Sequence, residues 1–239
     1  MQQQSISLVI PAYNEENYIG TCLEHVVKNS GGKFLETIVV INGCTDKTQE
    51  IAESYGVRVV ESEKGLRRAR EKGLAEARGE LVAYIDADTR MPAGWVDRAL
   101  HVFSTRPDVV SLSGPARYYD GSWLTRASMK VIWWVTAPLT YLLVGYMILG
   151  TGFVVRADVL RKAGFSKDVE FYGEDTDIAR RMSAFGKVLF KMNFVMYASS
   201  RRFTKEGLLK TNLVYALNYI SQAIFKKSAT KNYNDIRSS

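Results

Sequence analysis

Two aspartates one residue apart, Asp86 and Asp88, close the apolar run LVAYI at 81–85. At a strand end that begins to turn, such carboxylates can serve one ligand. One binds a divalent cation through oxygen, and the other holds a ribose hydroxyl or the same cation through water. Mg2+ and Mn2+ sites of this kind use few carboxylates and complete their shell with substrate phosphates. D-x-D is also a common solvated turn, so the pair gains meaning only from its surroundings. The segment before it carries Lys64, Arg67, Arg68 and Arg70, and guanidinium groups suit phosphate. Arg67 and Arg68 read as a solvated basic helix face, and Arg70 is the better functional candidate. Glu174-Asp175 open a second acidic stretch. A carboxylate near a helix N-terminus is favoured as its anion and can accept a proton; plain acidic N-capping is the alternative reading. Arg180 and Arg181 either orient this stretch, touch phosphate, or face solvent. His25 and His101 have no metal-site spacing and read as structural.

The elements that must position these residues follow from hydrophobic periodicity. Strands are predicted at 6–10 (ended by Pro11), 37–41, 57–60, 81–85 and from 109. Helices are predicted at 14–28 with Asn14 as N-cap, 46–55 with Asp46 capping, 66–77 and 95–103. Strand-helix alternation with short connections implies a mostly parallel sheet covered on both faces. Ligands of such sheets bind at the carboxyl ends of the strands. Tyr13-Asn14, Asn42-Gly43 and Asp86-Ala87-Asp88 all follow strands, so three polar clusters are expected on one edge.

The second half reads differently. Residues 123–149 are unusually apolar, with Trp133, Trp134, Tyr141 and Tyr146, and Gly150-Thr151-Gly152 ends the run. A strand at 153–156, a helix at 158–163, a helix from Glu174 to about Ala184, strands at 188–190 and 194–197, and a long amphipathic helix at 208–225 with a frayed polar tail follow. The chain is thus expected to divide into 1–116, 117–204, and an appended helix and tail at 205–239.

With 239 residues, 46% of them hydrophobic, the chain can bury a sizeable core. Two cysteines, Cys22 and Cys44, give neither a disulfide framework nor a cysteine zinc site, which suits a reducing cytoplasm. The start MQQQSISLVIPAYNEE reads as a strand rather than a signal peptide. A formal net charge of +7 favours anionic partners: nucleoside diphosphates, an acidic membrane surface or nucleic acid.

An ordered set of motifs then carries a resemblance: VIPAYNEE (9–16), IVVINGCTDKT (38–48), ARxxG (69–73), ARGELVAYIDADT (77–89) and YGEDTDIARR (172–181). Together the segments, spanning about residues 5–200, resemble a family-2 glycosyltransferase of GT-A fold, a Rossmann-like α/β sheet flanked by helices. The resemblance implies transfer of a sugar from a nucleotide-diphosphate sugar with Mn2+ or Mg2+ as cofactor. It implies that Pro11, Ala12 and Tyr13 pack against the base with Glu15 nearby. It implies that Asp86 contacts ribose or metal, that Asp88 is the main metal ligand, and that Asp175 is the general base of an inverting reaction with Glu174 beside it. Where the family usually has two aspartates before the glycine of the second strand-loop, this chain has Ile41 and Asn42. An asparagine can still pair with a uracil edge through its amide, but the charge is gone, and UDP stays only the default.

Residues 131–149 run without a charge and are long enough to span a bilayer. A single span there would put Asp86-Ala87-Asp88 and Glu174-Asp175 on opposite sides. Pro138 and Gly145 also interrupt a straight helix. A segment lying at the membrane surface or dipping into one leaflet is therefore expected, with Arg126 and Lys130 toward headgroups and the 208–225 helix beside it, flanked by Lys205, Lys210, Lys226 and Lys227. A cytoplasmic protein, peripheral at the inner face of the cell membrane, with a glycan or lipid-linked acceptor follows. Packing on the domain or a homo-oligomer contact is the alternative for these helices. Arg201 and Arg202 of SSRRF (199–203) are expected over the donor diphosphate or against anionic lipid. Competing functions are a nucleotidyltransferase, disfavoured because PAYNEE replaces a Gly-rich phosphate loop, and a degraded membrane-associated scaffold of the same fold. No nucleic-acid motif is present.

Overall fold

The computed structural model describes residues 4–225 apart from 168 and 170–172. Tyr172, Lys226, Lys227 and the polar tail lie outside the described residues. In chain order the elements begin with β1 (Ile6–Ala12), α1 (Ile19–Asn29), β2 (Phe34–Ile41), α2 (Thr48–Ser54), β3 (Arg58–Glu61) and α3 (Leu66–Glu76). They continue with β4 (Leu81–Ile85), β5 (Thr89–Arg90), α4 (Trp95–Thr105), β6 (Val109–Ser113), β7 (Ala116–Tyr118) and α5 (Trp123–Val144). Last come β8 (Gly152–Arg156), α6 (Ala157–Ala163), α7 (Glu174–Met182), β9 (Lys187–Phe190), β10 (Met196–Ala198), α8 (Arg201–Glu206) and α9 (Leu208–Phe225).

Among the described residues, one sheet of seven strands has the order β3-β2-β1-β4-β8-β6-β9, and a small sheet has the order β5-β10-β7. Pairings β1–β2, β1–β4, β2–β3 and β6–β9 are parallel. The fold is the expected mostly parallel α/β sheet. β8 is the exception, running antiparallel to both β4 and β6. β1 and β4 are buried along their whole length, which explains why both read as unbroken apolar runs rather than alternating ones. Hydrophobic layers form on both faces. Ile10, Ala83, Trp95 and Val154 lie in one; Val9, Tyr84, Phe153 and Ile178 lie in the other. α3 presses closely on β1: a Cβ on Gly73 would stand 2.3 Å from Val9 Cγ1.

Several local expectations are corrected. β1 does not stop at Pro11 but runs to Ala12. Beyond Val9 it pairs only with β2, so a residue without an amide proton is tolerated on the open side. Asn14 is not a helix cap. It takes φ 50°, and its side chain accepts from the Thr45 amide at 2.8 Å, while α1 begins only at Ile19. Asp46 does accept from the Thr48 amide at 3.0 Å at the entrance to α2. Pro138 does not break α5, which continues to a left-handed Gly145 at φ 81° whose amide donates to Tyr141 O. Arg67 is buried against the domain and pairs with Glu71, rather than standing on a solvated face.

Candidate active site

Parallel pairing of β2, β1 and β4 brings the chain segments after these strands to one end of the sheet. After β1 and β2 a tight set of hydrogen bonds forms. The Asn42 amide donates to Ala12 O at 3.0 Å, the Cys44 thiol donates to Ala12 O at 3.4 Å, and the Asn14 amide donates to Cys44 Sγ at 3.3 Å. Pro11, Ala12 and Asn42 are buried, and Tyr13 is partly exposed. Lys64 donates to the Tyr13 hydroxyl at 2.5 Å, with its ammonium 4.2 Å from the ring centre. The predicted base-side residues thus lie together, with Lys64 added to them.

After β4 the chain turns at once. The Thr89 amide and hydroxyl both donate to Asp86 O, at 3.1 and 2.7 Å. Ala87 points into the core at 3% exposure, so Asp86 and Asp88 project on either side of a buried residue, both partly accessible. Asp86 faces Arg70, whose Nη2 is 3.5 Å from its Oδ1. Arg70 lies on α3 and is buried at 2%. It donates to the Glu174 carboxylate through Nη1 and to Gly150 O at 3.1 Å through Nη2, with Phe153 5.2 Å beneath its guanidinium. Gly150 in turn donates its amide to Asp175 Oδ2 at 3.1 Å. A side chain at Gly150 would crowd Arg70, its Cβ 3.1 Å from Nη2, and would touch Asp175 Oδ2 at an ordinary contact distance of 3.6 Å. Arg70, Asp86, Glu174 and Asp175 therefore form one constellation, drawn from α3, the end of β4, the turn before β8 and the start of α7.

One guanidinium here serves three carboxylates. Burial works against the charge of Arg70, but Glu174, Asp86 and Asp175 outweigh it and hold its pKa above the ordinary arginine value. The carboxylates are left under-compensated. Burial pushes Glu174 up to about 7, opposed by Arg70 and reinforced by the charge of Asp175. Burial also raises Asp175, opposed by Arg70 and by the Thr176 and Gly150 amides. Such an upward shift moves a carboxylate toward the range in which a general base works best near neutral pH.

Asp88 belongs to a second cluster. Its Oδ2 is 2.9 Å from Arg201 Nε. Arg201 Nη2 also donates to Glu15 Oε1 at 2.5 Å, and the guanidinium sits 4.3 Å from the Tyr18 ring centre. Glu15 is buried at 2%, with its amide donating to Thr48 Oγ1 at 2.7 Å. Tyr119 donates its hydroxyl to Asp88 O at 3.1 Å; burial lifts that phenol to about 12. The SSRRF motif pointed to Arg201, but not to its joint hold on Asp88 and Glu15, and Tyr119 carried no sequence signal. Arg180 and Arg181 turn out to be tied to Asp177, at 2.6 and 2.7 Å.

An open, mostly parallel sheet with carboxylates gathered beyond its strand ends is a GT-A architecture. Solved structures share it: a mannosyltransferase from Pyrobaculum calidifontis in complex with GDP-Man and Mn2+ aligns with TM-score 0.70 at 19% identity, over 96% of this chain and 67% of that one. Glucosyl-3-phosphoglycerate synthase from Mycobacterium tuberculosis, in complex with Mn2+, UDP and phosphoglyceric acid, aligns with TM-score 0.67 at 20% identity, over 96% and 80%. These likenesses establish the fold. The sequence model described as Glycosyl transferase family 2 matches residues 7–164, and the chain belongs to that family. A putative glycosyltransferase, EpsH, of Bacillus subtilis (strain 168) is 33% identical over 126 residues, covering 50% of this chain and 36% of that protein. An undecaprenyl-phosphate 4-deoxy-4-formamido-L-arabinose transferase of Edwardsiella ictaluri is 30% identical over 139 residues, covering 54% and 42%. This chain thus matches less than half the length of these curated relatives. The family match ends before α7 and α8, so Glu174, Asp175 and Arg201 lie beyond it.

Proposed function

We propose that the protein transfers a sugar from a nucleoside-diphosphate sugar to an acceptor at a membrane surface, with Asp88 and Asp86 holding Mn2+ or Mg2+. The observation that carries this reading is the convergence on Arg70 of Asp86, Glu174 and Asp175, beside Asp88 at the end of β4. The donor set suits such a cation: two partly exposed carboxylates supply hard oxygen ligands. That is the pattern of a metal whose shell is completed by substrate phosphates. When bound, the cation neutralises charge gathering on the leaving diphosphate.

The chain's own residues supply the rest. Pro11, Ala12, Tyr13 and Asn42 frame the base, and Asp86 reaches the ribose. Asp175, oriented by the Gly150 and Thr176 amides, accepts the proton of an attacking acceptor hydroxyl, which gives inversion. Arg70 and Glu174 fix the carboxylates in place. In this reading residues 1–116 form the donor half, 117–204 the acceptor half, and the segment from 205 an appendage.

The membrane part of the proposal rests on α5. An 18-residue window of its 22 residues reaches a mean hydropathy of 1.3, and Trp123, Trp134, Leu142 and Leu143 are each exposed by more than 70%. One helix of this kind is weak evidence for a crossing, and its contacts argue for lying flat. It packs on β7, and near its end Tyr141 donates to Val188 O of β9 at 2.9 Å. The helix therefore rests on the α/β body at two places. Asn212 of α9 reaches Met129 Sδ at 3.5 Å, so the two helices adjoin, with exposed Arg126, Lys130, Lys205 and Lys210 around them. Aromatic and basic side chains on an apolar face suit the interfacial zone. This placement, on the cytoplasmic side of the cell membrane, favours a lipid-linked acceptor.

The test is a donor screen. Nucleoside-diphosphate release with Mn2+ or Mg2+ is measured across UDP-, GDP- and dTDP-sugars, with nucleoside triphosphates as a parallel arm. Turnover of one nucleotide sugar is expected, with Asp88→Asn lowering it at least about a hundredfold. Turnover of triphosphates alone would reassign the protein to nucleotidyl transfer.

A further inference from the structure

Arg201 holds two carboxylates at once, and one of them is the oxygen ligand proposed above for the cation. Its Nε lies 2.9 Å from Asp88 Oδ2 and its Nη2 2.5 Å from Glu15 Oε1. The three side chains are exposed by only 15%, 16% and 2%. In such partly desolvated surroundings a charge-assisted contact is strong, and it draws away the negative charge that a divalent cation needs from Asp88. A cation taken up on this carboxylate at about 2.1 Å would also stand close to the guanidinium and be repelled by it. That conflict ends when a further anion receives the guanidinium, and the planar fork of arginine matches phosphate oxygens well.

The surroundings of Arg201 permit this exchange through its side chain alone. The backbone before it is pinned: Asp120 accepts from the Ser199 hydroxyl at 2.6 Å and from the Ser200 amide at 2.5 Å. Gly121 packs so closely there that a Cβ would stand 2.3 Å from Ser200 Oγ. The Tyr18 ring, 4.3 Å from the guanidinium, offers a face along which it can turn. We propose that Arg201 is the resident counter-ion of Asp88 and passes to the diphosphate of an arriving nucleotide, so that firm binding of the divalent cation is conditional on the donor. This rests on the reading of Asp88 as the cation's ligand and adds the residue that makes donor and cation bind together.

The test has a sign that a merely structural role would not give. Mn2+ binding to the full chain is measured by calorimetry or by loss of the free Mn2+ paramagnetic signal, first without nucleotide. Arg201→Gln is expected to bind Mn2+ about tenfold more tightly than wild type, the change that roughly 1.4 kcal/mol produces. Arg201→Lys, which keeps a cation, is expected to stay within about threefold of wild type, a difference below 1 kcal/mol. Arg201→Gln combined with Asp88→Asn should lose the gain, which locates it at Asp88. With UDP or GDP added, wild-type affinity for Mn2+ should rise by a larger factor than that of Arg201→Gln. If Arg201→Gln binds Mn2+ no better than wild type without nucleotide, or binds it worse with a lowered melting temperature, Arg201 is a structural pin and the exchange is refuted. If no form binds Mn2+ even with UDP or GDP, the cation reading itself falls, and the exchange with it.

Discussion

Arg70→Met offers the sharpest test of the electrostatics at the site. In the wild type, folding raises the pKa of Glu174 from 4.5 to about 7. A raised acid stabilises the fold fully below its unfolded value and loses that contribution as the pH climbs through its folded value. The window is therefore about pH 4.5 to 7, and at about 1.4 kcal/mol per tenfold the ionised group costs the fold about 3 kcal/mol above it. The raised pKa of Asp175 acts in the same direction. Arg70 is what keeps this cost tolerable, since Glu174 is 3% exposed and the guanidinium is bonded directly to it. Removing the cation leaves an uncompensated buried carboxylate, a loss of about 3–5 kcal/mol. Urea unfolding at pH 8 should show that loss. At pH 5 Glu174 is protonated with or without Arg70, and the loss is confined to the contacts to Gly150 O and the Phe153 ring and the ion pair with partly exposed Asp86, about 1–2 kcal/mol. The double variant Arg70→Met with Glu174→Gln should recover most of the stability at pH 8. An equal loss at both pH values, or a double variant no better than the single one, would show that Arg70 does not act by compensating Glu174.

Three further outcomes are expected. Asp175→Asn should lower kcat by about 10²–10⁴-fold with donor affinity kept, read from initial rates and nucleotide binding; unchanged kcat would remove it as the base. Gly73→Ala forces a methyl to 2.3 Å from Val9 Cγ1 and should cost about 1–3 kcal/mol by thermal unfolding, because α3 and β1 cannot both stay in place. Leu142→Ser with Leu143→Ser takes two side chains exposed by 80% and 74% out of the apolar face. It should weaken flotation with anionic vesicles at least about tenfold, at about 1.5–3 kcal/mol for each large apolar side chain taken out of water; unaltered flotation would sink the interfacial reading.

The sequence disclosed the parallel core because β1 and β4 are buried on both faces, and an unbroken apolar run such as LVAYI has few other homes. It placed Asp86 and Asp88 because the chain leaves the core abruptly after Ile85. It did not disclose β5 and β7, whose two and three residues are too short to show a period, and it set β10 at 194–197 where the strand is Met196–Ala198. The antiparallel sense of β8 was hidden as well, since GFVVR reads the same in either direction. Pro11 and Asn14 misled for a related reason: each follows a local rule that a neighbouring strand or loop overrules. The partners of Arg70 and Arg201 were the least legible. Their ion pairs join positions 104 and 186 residues apart, and no spacing along the chain encodes such a distance.

Those same long separations order the events of biosynthesis. A polypeptide emerging N-terminus first holds β1 and β2 early, but β1 meets β4 only across 75 residues, Ile6 pairing with Leu81, the non-local parallel pairing that forms slowly. β8 must then slot in beside β4 before Gly150 can meet Arg70, and α8 must emerge before Arg201 can reach Asp88 and Glu15. The acidic end of the sheet is thus finished last, and a nascent chain on the ribosome carries the loops after β1 and β2 long before it carries Glu174, Asp175 and Arg201.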